Sequence, residues 1–283
     1  MEKAIKRFWP VFVIPTFAAF AIGFIWPFLQ GLYLSFCRFI TIDTAQWNGI
    51  QNYIYALTEE SFLHSFWFTA LFTVVSTICI NVVAFAIALA LTRGIKGTNV
   101  FRSVFFMPNL IGGIVLGYIW NILLNCVLTL LGKPLLSLHA PYGFIGLLIL
   151  MCWQQIGYMM IIYIAGLQSI PNDYLEAARI DGASDRQILW RIKIPNVMPS
   201  ITICMFLSLT NGFKLFDQNL ALTNGEPGHL TEMLALNIYN TFYGRSGPSW
   251  RGYGQAKAVI FCVLVVVISV IQLRATRSKE VQQ

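Results

Sequence analysis

Residues 176–195 read Glu-Ala-Ala-Arg-Ile-Asp-Gly, then nine residues, then Ile-Lys-Ile-Pro, and this polar stretch interrupts a chain that is otherwise mostly lipid-soluble. Of 283 residues, 57% are hydrophobic and 11% are charged, with a mean hydropathy of +0.67. So little polar surface cannot cover a water-soluble globule. The composition is that of a polytopic membrane protein, and 176–195 is the part of it best suited to a soluble partner.

A membrane-spanning helix needs about 20 mostly apolar residues. Such runs occur at 11–34, 66–92, 104–128, 143–167, 199–216 and 256–273. They predict an all-α membrane protein with six transmembrane helices and both termini on one side. Loops 35–65, 129–142 and 217–255 then share one face, and 93–103 and 168–198 the other. Lys3, Lys6 and Arg7, with Arg93, Lys96, Arg102, Arg179, Arg186, Arg191, Lys193, Arg274, Arg277 and Lys279, make 13 of the 19 basic residues and fall on that second side. Cytoplasmic loops carry the basic excess, so both termini, including residues 1–10, and the 168–198 loop are assigned to the cytoplasm. The first apolar run, about 25 residues without a small-residue cleavage site, reads as a retained span and not a signal peptide.

The net charge of +7 follows from this bias and from contact with anionic headgroups. No basic stripe is interleaved with aromatics, which excludes a nucleic-acid surface. Cys37, Cys79, Cys126, Cys152, Cys204 and Cys262 are scattered without a C-x-x-C pair and read as free thiols. His64, His139 and His229 lie in different segments outside the spans, so neither a metal set nor a catalytic cluster is expected.

The 168–198 loop has its own punctuation. Pro171 suits the first turn of a helix, and Gly182 suits the left-handed turn that ends it. Ser184-Asp185-Arg186-Gln187 is a capping-box pattern opening a second helix, which Pro195 is expected to stop. Helices of about ten residues cannot cross a bilayer and are marginal alone, so a partner must pack on them. Ala177, Ala178 and Ala183, beside Leu175, Ile188, Leu189 and Ile192, allow close approach.

The pattern Glu176-Ala177-Ala178, three residues, Gly182, nine residues, Ile192, one residue, Ile194-Pro195 resembles the EAA loop of ATP-binding cassette importer permeases, with Ile194 where Leu is usual. Phe216-Asp217, Leu222-Thr223-Asn224-Gly225-Glu226-Pro227, Thr231-Glu232 and Ile238-Tyr239 resemble the sixth-span region of sugar permeases of the maltose-transporter kind. Gly49-Ile50-Gln51-Asn52-Tyr53 and 102–108 resemble the family too. Glu226 replaces a usual Gly and puts the local turn in question, because Gly accepts positive φ and Glu resists it.

The resemblance implies a type-1 transmembrane domain over 11–283, with a core at about 66–273. It implies one of two different membrane subunits, forming a heterodimer that carries a sugar or oligosaccharide across a bacterial cytoplasmic membrane. A cytoplasmic ATPase dimer would receive the EAA loop through Glu176, Ala177, Ala178, Asp181, Gly182, Ile192 and Pro195, and an extracellular or periplasmic solute-binding protein would deliver cargo. Glu176 as a plain solvated carboxylate is the alternative. ATP and Mg would sit on the ATPase, with no cofactor on this chain and no enzymatic activity of its own. In keeping with this, no G-x-x-x-x-G-K-[ST] phosphate loop occurs.

Polar side chains at membrane depth are retained mainly where they face a cavity or a partner helix. Asn109, Asn121, Gln154, Gln155, Ser208, Asn211 and Lys214 are the candidates. The family pattern implies a sugar path at Asn109, Gly113, Gln154, Gln155, Ser208, Gly212 and Lys214. Amides and hydroxyls suit the many hydroxyls of a sugar, and Trp153, Tyr158, Phe213 or Phe216 suit its apolar faces. Interhelical hydrogen bonding is the alternative. Lys214 fits either a pair with Asp217 on one helical face or a phosphate-bearing sugar such as glycerol 3-phosphate. Aromatics at 47–55 and 228–255 suit a binding-protein surface or interfacial anchoring. An ion-coupled carrier would show charges deep in several spans, whereas here deep charge reduces to Lys214. A membrane enzyme would need clustered His, Asp, Glu or Cys.

Overall fold

The computed structural model describes residues 2–277; Met1 and 278–283, and with them Lys279, lie outside the described residues. In chain order the helices are α1 (Glu2–Phe20), α2 (Trp26–Leu34), α3 (Gln51–Thr58), α4 (Glu60–Leu91), α5 (Thr98–Phe106), α6 (Gly113–Leu130), α7 (Ala140–Gln168), α8 (Asn172–Ile180), α9 (Asp185–Ile188), α10 (Ile194–Asn196), α11 (Met198–Phe213), α12 (Asp217–Leu222), α13 (Leu234–Tyr243) and α14 (Pro248–Arg277). π-helical turns at Ala21–Ile25 and Leu189–Lys193 join α1 to α2 and α9 to α10. Val13–Leu34, Glu60–Leu91, Gly113–Leu130, Ala140–Gln168 and Pro248–Ala275 are each long and apolar enough to span a bilayer. Met198–Phe213, fifth in chain order, reaches the length of a span only together with Asp185–Asn196, from which it bends by 69°.

Several expected boundaries move; the span expected from 66 begins at Glu60, the last one at Pro248, and two further shifts lie at Pro108 and Pro195. The span expected from 104 begins only at Gly113, because Pro108 sits in a 3₁₀ turn (Met107–Leu110) and Gly112 is extended before α6. Pro195 does not stop the second loop helix. The preceding π turn widens the backbone ring there, which relieves the collision a proline makes with the previous turn. Helix continues to Asn196, whose side chain bonds the Ile192 carbonyl at 2.7 Å, and the break falls at Val197, just before the Met198-Pro199 step.

The chain divides into two compact units. The first comprises 1–59 and 238–262. It holds a two-stranded antiparallel sheet, β1 (Cys37–Arg38) on β2 (Gln46–Trp47), with Cys37 opposite Trp47. Asn52, from the Gly49–Tyr53 motif, is fully buried and fastens this turn. Its amide donates to the carbonyls of Ser35 (2.8 Å) and Cys37 (2.9 Å) and its oxygen accepts from Asn48 (2.8 Å). Tyr55 stacks on Tyr253 with centroids 4.1 Å apart, and desolvation, then the nearby Glu59 charge, raises its phenol pKa.

The second unit comprises 60–237 and 263–283, with α4, α7 and α11 at its centre. Helix α4 departs from the rule for a soluble helix, for beside Phe72 and Ile80 its buried face carries a polar stripe. Ser65, Thr69, Thr73, Ser76, Thr77 and Asn81 are buried, while Trp67, Leu71, Val74, Ile78 and Val82, also at helical spacing, are exposed. In lipid there is no hydrophobic gain in hiding apolar side chains from tails equally apolar. Small residues that allow close packing and groups that hydrogen-bond across helices therefore turn inward. At Gly157 of α7, a Cβ would lie 1.8 Å from the Phe105 carbonyl oxygen of α5, so the closest helix approach requires glycine.

Candidate functional site

The 168–198 loop folds as a two-helix hook. Pro171 is the extended residue preceding α8, one position earlier than the sequence suggested. Helix α8 ends in a Schellman motif: Gly182 N–H donates to Arg179 O at 3.0 Å and Ala183 N–H to Ala178 O at 2.9 Å, with Gly182 at φ +77°. Two residues on, the Ser184 N–H bonds Gln187 Oε1 at 2.7 Å and the Ser184 hydroxyl accepts from Gln187 N–H, completing the capping box. The reversal is thus closed from both sides by local bonds.

Glu176, Ala177, Asp181 and Gly182 are exposed, and Ala178, Ile192 and Pro195 half-buried. Nothing lies within 4 Å of a Cβ built on Gly182. Beside the turn a concavity of about 280 Å³ is lined by Asp181, Gly182, Ala183, Gln187, Ile188, Arg191 and Ile192. Ile180, at the end of α8, is 86% exposed, and Trp190 and Tyr174 are also bare. Ile180 was not foreseeable from sequence, since the nine residues of α8 are too few for apolar periodicity to separate an inner from an outer face.

The intramembrane candidates divide into two sets. Gln154 of α7, Gln155, Asn211 of α11 and Gln218 of α12 come together: Gln218 Nε2 donates to Gln154 Oε1 (2.7 Å), Gln154 Nε2 to Ile111 O (3.2 Å), and Asn211 Nδ2 to Gln155 Oε1 (3.3 Å). Gly113 supports this set, because a Cβ there would meet Asp217 Cβ and Gln218 Cδ at 2.8 and 2.9 Å. Asn109 is half-buried on the 3₁₀ turn. Gln218 was missed from sequence because α12 falls just past the fifth apolar run, in the segment expected as loop 217–255.

Ser208 and Gly212 belong instead to the packed interior. Ser208 is fully buried, donating to Cys204 O (2.7 Å) and accepting from Asn81 Nδ2 (2.8 Å). Asn81 Oδ1 accepts from the Tyr163 hydroxyl at 2.6 Å, so one amide ties α4, α7 and α11. A Cβ on Gly212 would meet Thr73 Cγ2 at 2.8 Å. Asn121 is half-buried and donates to Leu222 O at 2.6 Å, tying α6 to α12.

Lys214 and Asp217 do not share a helical face. Lys214 is the residue after α11 and Asp217 opens α12; both are exposed, and among the described residues no ion pair joins them. The deep charge is elsewhere: Lys257, in the first turns of the run expected at 256–273, is wholly buried against Glu59 and bonds the Thr241 hydroxyl at 2.8 Å.

The turn questioned at Glu226 is accommodated. Positive φ falls on Asn224, Gly225, Gly228 and His229, with the Glu226–Pro227 peptide cis, while the Glu226 carboxylate accepts from Gly228 N–H at 2.8 Å. Below it, buried Glu232 accepts from Asn237 Nδ2 at 2.9 Å, and His229 lies 3.4 Å from it.

Over 282 residues the chain is 41% identical to the probable starch degradation products transport system permease protein AmyD of Thermoanaerobacterium thermosulfurigenes, spanning 96% of this chain and 94% of that one. It is 30% identical over 291 residues to the multiple sugar-binding transport system permease protein MsmF of Streptococcus mutans, spanning 99% of each. A chain from the crystal structure of a bacterial ABC transporter involved in import of the acidic polysaccharide alginate superposes with a TM-score of 0.83 at 19% identity, covering 98% of both chains, and so shares the fold. Residues 83–279, which carry the hook, the amide cluster and the last span, match the binding-protein-dependent transport system inner membrane component family, and the chain belongs to that family.

Proposed function

We propose that this chain is a permease subunit of an ATP-binding cassette importer for sugars or oligosaccharides. It acts beside a second, different permease, with an ATPase dimer on the cytoplasmic side and a solute-binding protein on the other. The single observation that carries this reading is the bared hook: an apolar residue that is 86% exposed stands at a rigid, doubly capped reversal. With Tyr174 and Trp190, Ile180 gives the hook several exposed apolar side chains outside the spans, which suits a partner surface. Identity of 41% to a permease named for starch degradation products supports the cargo class.

In this reading Glu176, Ala177, Ala178, Asp181, Gly182, Ile192 and Pro195 receive the ATPase. Closure of the ATPase dimer on ATP and Mg swings the hook, and the swing moves the spans around a central path by hinge or shear. Asn109, Gly113, Gln154, Gln155, Asn211 and Lys214, with Gln218 added, belong to that path, while Ser208 and Gly212 hold its wall. Six crossings return both termini to the cytoplasm, in accord with the basic residues at both ends. The chain itself carries no cofactor and no hydrolytic step.

The test is uptake of radiolabelled malto-oligosaccharides by membrane vesicles containing the whole transporter. Uptake is expected to require ATP inside and the binding protein outside. Uptake that survives ATP depletion but collapses with a protonophore would point to an ion-coupled carrier and overturn the reading. A second cargo is favoured by one observation, the exposed and unpaired Lys214: an anionic sugar phosphate such as glycerol 3-phosphate. Competition between neutral and phosphorylated sugars in the same vesicles separates the two.

A further inference from the structure

Where α4 ends, two adjoining concavities of about 260 and 340 Å³ share three lining residues, Arg93, Arg179 and Lys193. Each volume is close to the lower end of the range for small-ligand sites, about 300–1,000 Å³. The first is completed by Leu89, Ile188, Leu189 and one carboxylate, Asp185; the second by Thr92, Asn172, Leu175 and one carboxylate, Glu176. Each therefore sets three cations against a single acid. Among the described residues none of the three cations is in an ion pair. The negative end of the α4 dipole accounts for a cation at Arg93. It does not account for the convergence on the same space of Arg179 from α8 and half-buried Lys193 from the π turn.

Height fixes the chemistry. Leu89 lies in the last turn of a membrane span (Glu60–Leu91), and the concavities lie between the end of that span and residues of the hook, a depth that corresponds to lipid headgroups for a span of this length. Guanidinium groups bind phosphate oxygens in a bidentate manner, and an ammonium adds a point charge. We propose that Arg93, Arg179 and Lys193 form a binding site for a phosphate-bearing anion, supplied either by the headgroup of an anionic phospholipid or by free phosphate. The site would seat the base of the hook on the membrane surface.

The purified full-length chain, exchanged from detergent into phosphatidylcholine nanodiscs doped with phosphatidylglycerol, is compared with a triple variant (R93Q, R179Q, K193Q) and a control (R186Q, R191Q) that removes two cations lining neither concavity. Lipids retained on release are counted by native mass spectrometry. The preference for phosphatidylglycerol is expected to fall about tenfold in the triple variant and to stay unchanged in the control. In a parallel arm, inorganic phosphate is titrated against the thermal unfolding of each protein in neutral detergent. Stabilisation of the wild type but not of the triple variant, with lipid retention unaltered, would identify free phosphate as the occupant of the same site. Equal retention and equal response in all three proteins, or an equal loss in the control, would overturn the proposal. If the triple variant does not fold, the single R179Q and K193Q variants are read in the same way.

Discussion

The ammonium of Lys257, with no exposed surface, lies against the carboxylate of Glu59, whose other oxygen is 3.3 Å from the Arg245 guanidinium. Arg245 in turn stands 4.3 Å over the Trp250 ring. The two partners of this buried pair are not equivalent. Glu59→Gln leaves a fully buried ammonium without its carboxylate, whereas Lys257→Met leaves Glu59 facing Arg245. Removing one partner of a buried pair costs about 3–5 kcal/mol, and Glu59→Gln is expected near that figure, with Lys257→Met clearly milder. Thermal unfolding of both variants in detergent checks the order; equal losses would contradict the asymmetry.

Gly182 holds a left-handed conformation that costs a side-chain-bearing residue about 1–2 kcal/mol. Gly182→Val should therefore deform the hook while leaving the chain inserted, abolishing ATP-driven uptake without reducing the amount in the membrane. Gly182→Asn, the next residue best suited to this conformation, should retain a substantial part of the transport. Vesicle uptake normalised to immunoblotted protein provides the measurement, and normal uptake by the valine variant would remove the hook from the mechanism.

Asn81 is bonded to Ser208, to Tyr163 and to the Thr77 carbonyl (2.8 Å), so it joins three helices through one amide. Interhelical hydrogen bonds in membranes average about 0.6 kcal/mol and reach about 1.7. Tyr163→Phe should fall within that range, and Asn81→Leu should exceed it because the Ser208 and Tyr163 hydroxyls then both lose their interhelical partner. A double-mutant cycle read by unfolding in mixed micelles would show coupling between Asn81 and Tyr163; additive losses would show that the bond does not join them.

Gly157→Ala should be among the least tolerated small substitutions, because the added carbon meets a backbone oxygen that no rotamer change can move. Overpacking of this kind costs about 1–3 kcal/mol. Lower yield of monodisperse protein, together with a lower unfolding temperature, is the expected result, while Gly23→Ala, with open space around it, serves as the neutral comparison.

The crossings and the hook were legible from sequence because both rest on local rules. Span length is set by bilayer thickness, and the Gly182 and Ser184 signals name their own backbone conformations. What escaped was the partnering of polar groups. Ser65, Thr69, Thr73, Thr77 and Asn81 recur at four-residue steps, a visible stripe, but a stripe in an apolar run does not reveal whether it faces a cavity, lipid or another helix. Ser208 read as a path residue for that reason, and its bond to Asn81, distant in sequence, placed it in the interior. Lys214 and Asp217 were spaced for a helical pair, but the helix ends between them. Lys257 was hidden by its surroundings, since a single cation at the start of an apolar run looks like a boundary until its partner is known.

Pro195 and Pro199 stand one turn apart on either side of Val197, and neither has a backbone N–H to give to the turn before it. A regular hydrogen-bond ladder is therefore interrupted at this elbow, which accounts for the 69° bend between the two arms. If the hook receives force as proposed, that force would reach Met198–Phe213 through a bend that two prolines have placed, and not along a straight shaft.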